Sequence, residues 1–261
     1  MAMFEREQVP NGRGLVVPDF TIITCTRNSA ATLAQTLASV QQQRGVSFEH
    51  VFVDGDSTDG TLEMLRAVPG ATRLITGVSG GISRAMNAGI EAATGKIVAH
   101  LHADDYYLHA DVLSMVQQRI ESDGSDWLFG RIVSDVDGNL IPEGFECPRY
   151  SVAALRRGNF VPHPATFVKR SVFERFGAFR TDYRYAMDYE LWLRIAPSTS
   201  VAQLDQPLAA FRRHVGSAST ANAQRALLED FRARCTHSSL VHLPMDLARL
   251  AVRSYRLAMK T

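Results

Sequence analysis

The sequence predicts an α/β fold: a mostly parallel sheet flanked by helices, then a mixed half, then C-terminal helices. Three observations predict it. Between residues 20 and 122, short apolar, β-branched runs alternate with longer amphipathic segments, the pattern of β–α–β units. The connections between them are short, as in compact α/β proteins. After residue 125 the alternation gives way to a hairpin pattern, short helices and a late strand.

The elements follow in order. FTIITC (20–25) reads as a buried strand and AATLAQTLASVQQQ (30–43) as an amphipathic helix. FEHVFVD (48–54) is a second strand. TDGTLEMLRAV (58–68) is a helix, with Thr58 or Asp59 as its cap. TRLITG (72–77) is a third strand, GISRAMNAGIEAAT (81–94) a helix stopped by Gly95, and KIVAHL (96–101) a fourth strand. DVLSMVQQRIES (111–122) closes this half as a helix, and the crossovers are expected to be right-handed.

DWLFGRIVSDVDGNLI (126–141) reads as a hairpin turning at Asp137-Gly138. SVAALRRG and RSVFERFG are short helices ending at Gly158 and Gly177. AMDYELWLRIA (186–196) is a further helix, SVAQLDQPLAAFRRH (200–214) a strand, and two helices are expected at 221–237 and 244–259. Residues 1–18 are expected as a flexible arm, 19–219 as one domain and 220–261 as C-terminal helices.

Composition narrows the function classes. The chain has 261 residues and a formal net charge of +1, so bulk charge gives no reason to expect a nucleic-acid partner. Cys25, Cys147 and Cys235 are too few and too dispersed for a disulfide framework or a zinc site, and they fit a reducing compartment. The first residues lack the apolar stretch of a signal peptide, and no window approaches the roughly 18 apolar residues of a membrane-spanning helix. A cytoplasmic location is expected.

In an open parallel sheet, ligands sit beyond the carboxyl ends of the strands. Three polar clusters fall at such ends: TRN (26–28), DGDSTDG (54–60) and HADD (102–105). Taken alone, DGDSTDG is more often a turn and helix cap than a binding site, and an Asp-Asp pair is usually a solvated loop; the fold gathers the clusters on one rim. Neither G-x-G-x-x-G nor G-x-x-x-x-G-K-[ST] follows the first strand, which argues against a dehydrogenase or a P-loop enzyme. Carboxylates repel phosphate unless a hard divalent cation bridges them, and Mg²⁺ or Mn²⁺ takes one or two carboxylates plus phosphate oxygens. HADD on this rim points to a metal-bridged nucleoside diphosphate.

The chain resembles the family 2 glycosyltransferases, which have the GT-A fold. The resemblance is carried by TIITCTRN (21–28), VDGDSTDGT (53–61), GISRAMNAGIEAATGKIVAHLHADD (81–105), AMDYELWLR (186–194) and FRRHVGSAS (211–219), in the family's order. It implies a nucleotide-sugar-binding half over 19–110 and an acceptor and catalytic half over 111–219. It implies that Thr26, Asn28 and Asp54 lie near the nucleoside and that Arg84 and Asn87 border the donor. Asp104 and Asp105 match the metal motif, with Asp105 the direct ligand of Mn²⁺ or Mg²⁺. Asp188 matches the catalytic base, and His214 a histidine that approaches metal or diphosphate. The chain departs from the family at Asp54-Gly55-Asp56, where two successive aspartates are common. His102 stands for the usual Asp or Asn, Cys25 for a proline, and Met187 for a Glu.

These assignments imply an inverting, metal-dependent transfer from a UDP-sugar to a glycan or lipid-linked acceptor in surface polysaccharide synthesis. A carboxylate such as Asp188 can take the acceptor's proton, although an acidic residue at a helix start also suits the helix dipole. A non-catalytic nucleotide-sugar-binding protein and a nucleotidyltransferase are the alternatives; the first would lack a placed base, the second needs a glycine- and basic-rich first loop that CTRNSAATL does not supply. The histidines are dispersed in sequence, and His163 in VPHPATF reads as a loop residue or an acceptor contact. The last helix carries Arg249, Arg253, Arg256 and Lys260 on one stripe, with Leu247, Leu250, Ala251, Leu257 and Ala258 on another. Docking on the domain, docking on a second copy of the chain and resting on anionic lipid all remain open for it.

Overall fold

The structure, a computed structural model, describes residues 17–70, 72–143, 147–213, 222–237 and 242–259. Apart from Val17 and Pro18, the expected N-terminal arm lies outside them. The first half follows the sequence reading closely. Strands β1 (Phe20–Thr26), β2 (Phe48–Asp54), β3 (Thr72–Ile75) and β4 (Ile97–His100) alternate with helices α1 (Ala30–Gln41), α2 (Thr61–Arg66) and α3 (Ile82–Ala92). All three pairings among these strands are parallel.

Helix α2 corrects one expectation. It begins at Thr61, and its cap is neither Thr58 nor Asp59 but Gly60, at φ 92°. Asp59 instead joins two helix starts: Oδ2 accepts from the Ala30 N–H of α1 at 3.0 Å, and Oδ1 accepts from the Thr61 N–H at 3.2 Å.

The second half is mixed. Short β5 (Tyr106–Tyr107) and helix α4 (Val112–Asp123) lead into β6 (Trp127–Val136) and β7 (Asn139–Pro142). Asp137 and Gly138 turn this hairpin at φ 51° and 84°, as the Asp-Gly pair predicts. Helix α5 (Val152–Arg157), strand β8 (Thr166–Lys169), helices α6 (Arg170–Phe176) and α7 (Met187–Ile195), and strand β9 (Val201–Arg212) follow. The sequence reading missed β5 and β8, which are too short to show a period. Among the described residues the sheet has nine strands in the order β3-β2-β1-β4-β8-β6-β9-β5, with β7 on β6. Strand β8 runs antiparallel to β4, so it joins the parallel half to the mixed half.

Alternation along β1 divides the core. Ile23 and Cys25 pack with Met86 of α3, while Phe20 and Ile22 pack with Val40 of α1 and Val116 of α4. Helix α7 is anchored by Trp192, whose ring stacks on Trp127 of β6 at 5.1 Å. Helices α8 (Ala223–His237) and α9 (Leu243–Ala258) end the described chain. They are joined by a buried ion pair, Arg234 Nε to Asp246 Oδ1 at 3.2 Å.

Candidate functional site

Parallel pairing sets Thr26 opposite Asp54 and Ile23 opposite His100. The ends of β1, β2 and β4 therefore form one rim, as the alternating sequence requires. At its centre the buried Asp54 carboxylate accepts from Thr26 Oγ1 at 2.7 Å, Ser57 N–H at 2.8 Å and Ser57 Oγ at 2.6 Å. Asn28 braces the facing loop: its N–H donates to Ser57 Oγ at 2.8 Å, and its Oδ1 accepts from Thr58 N–H at 2.8 Å. Asn28 and Asp56 adopt left-handed backbone conformations, φ 50° and 62°. Asn and Asp tolerate that region better than other non-glycine residues, and backbone strain collects at functional sites.

Arg84 is exposed on the first turn of α3 and lies over Gly80, where φ is +97° and a Cβ would come within 2.7 Å of Arg84 Cδ. Asn87, one turn on, has both ends of its amide taken by one residue. Its Nδ2 donates to Phe179 O at 2.8 Å, and its Oδ1 accepts from Phe179 N–H at 2.9 Å. It ties α3 to the chain ahead of α7.

The acidic pair after β4 divides unequally. Asp105 is 2% exposed, and its Oδ1 accepts from the Arg212 N–H at 3.2 Å. Burial, then the Asp104 charge, push its carboxyl well above the usual range. Asp104 is the more exposed of the two. His214 lies outside the described residues. Of its two basic neighbours, Arg213 pairs with Glu143 at 2.9 Å, and Arg212 stands over the Tyr106 ring at 5.8 Å.

Asp188 is the second residue of α7. Its Oδ2 accepts from Asn159 Nδ2 at 3.2 Å and its Oδ1 from the Tyr189 N–H at 2.7 Å. Burial raises its carboxyl to about 6. His102 feels the charges of both Asp104 and Asp188, so the β4 end and the α7 start share one electrostatic environment. Although the histidines are dispersed in sequence, His100, His102 and His163 gather here. The His163 ring centroid lies 5.4 Å from that of His100 and 5.2 Å from that of His102. Burial holds His102 and His163 down to about 4, so both are neutral at pH 7. Sequence reasoning also missed Ser57 and Asn159. Ser57, three residues after Asp54, had a signal in the turn-forming DGDS pattern; Asn159 had none.

Comparisons with known proteins bear on the family and the fold. The family model described as Glycosyl transferase family 2 matches residues 21–176. A PGL/p-HBAD biosynthesis glycosyltransferase of Mycobacterium tuberculosis is 34% identical over 185 residues, covering 69% of this chain and 70% of its own. Among solved structures, Staphylococcus aureus TarS 1–349 in complex with UDP-GlcNAc has a TM-score of 0.71 at 20% identity, over 91% of this chain and 73% of that one. Mannosyltransferase PcManGT from Pyrobaculum calidifontis, in complex with GDP-Man and Mn²⁺, has a TM-score of 0.64 at 22% identity, over 99% of this chain and 79% of its own. These two share the GT-A fold with the chain, and the family rests on the sequence matches: the protein is a glycosyltransferase of family 2.

Proposed function

We propose that the protein moves a sugar from a UDP-sugar to a hydroxyl of a glycan or lipid-linked acceptor in surface polysaccharide synthesis, by a single displacement that inverts the anomeric centre. The observation that carries this reading is the half-buried Asp188, held by Asn159 and the Tyr189 N–H with its carboxyl raised, whose charge acts on His102 together with that of Asp104.

The chain's own groups have distinct tasks. Thr26, Asn28 and Asp54 shape the nucleoside end of the rim. Arg84 offers the diphosphate a guanidinium, a group suited to phosphate oxygens. Asn87 holds α3 against the chain before α7. Asp188 takes the acceptor hydroxyl's proton as that oxygen attacks the anomeric carbon. The bond from the anomeric carbon to the diphosphate breaks, and its electron pair leaves with the diphosphate. A base works best with a pKa near the working pH, and a carboxyl raised to about 6 is still ionised at pH 7. Asn159 orients it.

The family implies Mn²⁺ or Mg²⁺. Among the described residues no group of three His, Cys, Asp or Glu side chains could hold a metal ion. These hard cations need only one or two carboxylates beside phosphate oxygens and water, so the rim fits. The resemblance implies Asp105 as the direct ligand; because Asp105 is buried and its Oδ1 accepts from the Arg212 N–H, the proposal moves that role to the more exposed Asp104, with Asp105 behind it, and the expected relation to His214 falls outside the described residues. When bound, such a cation offsets the charge developing on the leaving diphosphate.

The test is thermal unfolding with UDP-sugars and GDP-mannose, each with and without Mn²⁺. A ligand at 100 times its Kd stabilises by about 2.7 kcal/mol, so a UDP-sugar with Mn²⁺ is expected to raise Tm. Asp104→Ala is expected to remove the Mn²⁺-dependent part. No stabilisation by any of these nucleotides would contradict the reading.

A further inference from the structure

Helix α8 holds the approach to the base from outside. The N-cap residue of α7, Ala186, carries no capping side chain, and the N–H groups leading into a helix need partners. One carboxylate supplies them from far along the chain. Glu229 Oε2 accepts from the N–H groups of Arg184 at 2.9 Å, Tyr185 at 2.7 Å and Ala186 at 3.0 Å; Oε1 accepts from Arg184 N–H at 3.0 Å. Consecutive N–H groups converging in this way make an anion-binding nest.

Two more contacts bracket Asp188. On one side Arg232 Nη1 donates to the Asp182 carbonyl at 3.0 Å, and its guanidinium lies 4.5 Å from the centroid of the Tyr183 ring. On the other, His237 Nε2 lies 2.9 Å from Oε1 of Glu190, two residues past the base. Residues 229, 232 and 237 thus grip segment 182–190 from one helix. The family model ends at residue 176, ahead of both the base and this clasp.

We propose that Glu229 is a positioning residue for Asp188 and that α8 is a working part of the transfer site. This rests on Asp188 being the base. Asp188 enters α7 two residues after the last of the three N–H groups that Glu229 fixes, so the direction of this helix start sets where its carboxylate points. A displacement near 1 Å at a reacting group costs about 10²-fold in rate. The donor groups of β1, β2 and β4 lie outside the clasp, and α3 meets the clasped segment through Ser83 Oγ, which donates to the Tyr183 carbonyl at 3.2 Å, a bond that does not use the N–H groups Glu229 holds; donor affinity is therefore not expected to respond.

A double-mutant cycle separates this role from a purely structural one. Turnover is read as nucleoside diphosphate released, with Mn²⁺ present. The donor is whichever of UDP-glucose, UDP-galactose, UDP-N-acetylglucosamine and GDP-mannose the unaltered protein consumes fastest. Glu229→Ala is expected to lower turnover by about 10²-fold, with affinity for the matching nucleoside diphosphate, measured by calorimetry, held within about twofold. In an Asp188→Asn background the same change is expected to cost under about twofold, because no base remains to be misplaced. Equal losses in the two backgrounds, or unchanged turnover in Glu229→Ala, would overturn the proposal. Glu229→Gln keeps the length and one acceptor oxygen and carries the same cycle if Glu229→Ala does not fold; failure of both to fold would assign Glu229 to the fold and overturn the proposal too. Normal turnover in Asp188→Asn alone would instead refute the base, a different result from equal losses.

Discussion

At the scale of single residues, Asp188, the proposed base, is held at a cost to stability. Burial lifts the Asp188 carboxyl from 3.8 to about 6. Between those values the folded chain binds more protons there than the unfolded chain. Stability contributed by this group therefore falls as pH rises through that window, and the loss is complete above it. Asp188→Asn is expected to raise Tm at pH 7.5, with the gain fading as pH approaches 4. A lower Tm at pH 7.5 would contradict this account of the site. Turnover of the unaltered protein is expected to rise with pH through about 6, as the base ionises. The spacing of residues revealed some of this site and hid the rest. Thr26 and Asp54 were legible because they end neighbouring parallel strands. The unequal burial of Asp104 and Asp105 was not, because Asp105 packs against Arg212 at the far end of the last described strand.

At the scale of elements, the parallel half was legible because each strand and helix has a clean period. Strand β8 was hidden by its four residues and by the prolines ahead of it in VPHPATF. Glycine 89 shows how closely α3 sits on β1: a Cβ there would come within 2.4 Å of Ile23 Cγ2. Helix propensity favours Ala over Gly by about 1 kcal/mol, but overpacking costs about 1–3 kcal/mol. Gly89→Ala is expected to destabilise on balance, and a higher urea midpoint would refute that packing. The last helix differs from its sequence reading. Leu250 and Leu257 are half-buried, while Met245, Val252, Tyr255 and Met259 are exposed, at 49, 52, 67 and 70%. Spaced by seven, three and four residues, they form one apolar stripe, and Arg249 is only partly buried. No described helix is long and apolar enough to cross a membrane; contact of this exposed stripe with a membrane interface is a proposal. Deleting 244–261 is expected to lower co-sedimentation with anionic vesicles, with a smaller difference at high salt. Unchanged binding would leave the stripe for another role.

At the scale of the whole molecule, the chain divides its labour. The first four strands are proposed to hold the donor, and α7, clasped by α8, to supply the base. The rim was predictable because parallel alternation with short connections forces strand ends to one side. The clasp was not. Glu229 reaches back across more than 40 residues to segment 184–186, and no local pattern in RALLEDFRARC announces such a return. The same holds for the histidine cluster, which β4 and the turn before β8 bring together only once the sheet is formed. The division of labour makes binding and turnover separable, and one pair of numbers on Asp188→Asn tests it: donor affinity by calorimetry, and turnover of the same donor with a working acceptor. Affinity is expected to stay near that of the unaltered protein while turnover falls by roughly 10²–10⁴-fold, the usual share of general base catalysis. Near-normal turnover in a stably folded Asp188→Asn protein, or a fall in donor affinity that matches the fall in turnover, would contradict it.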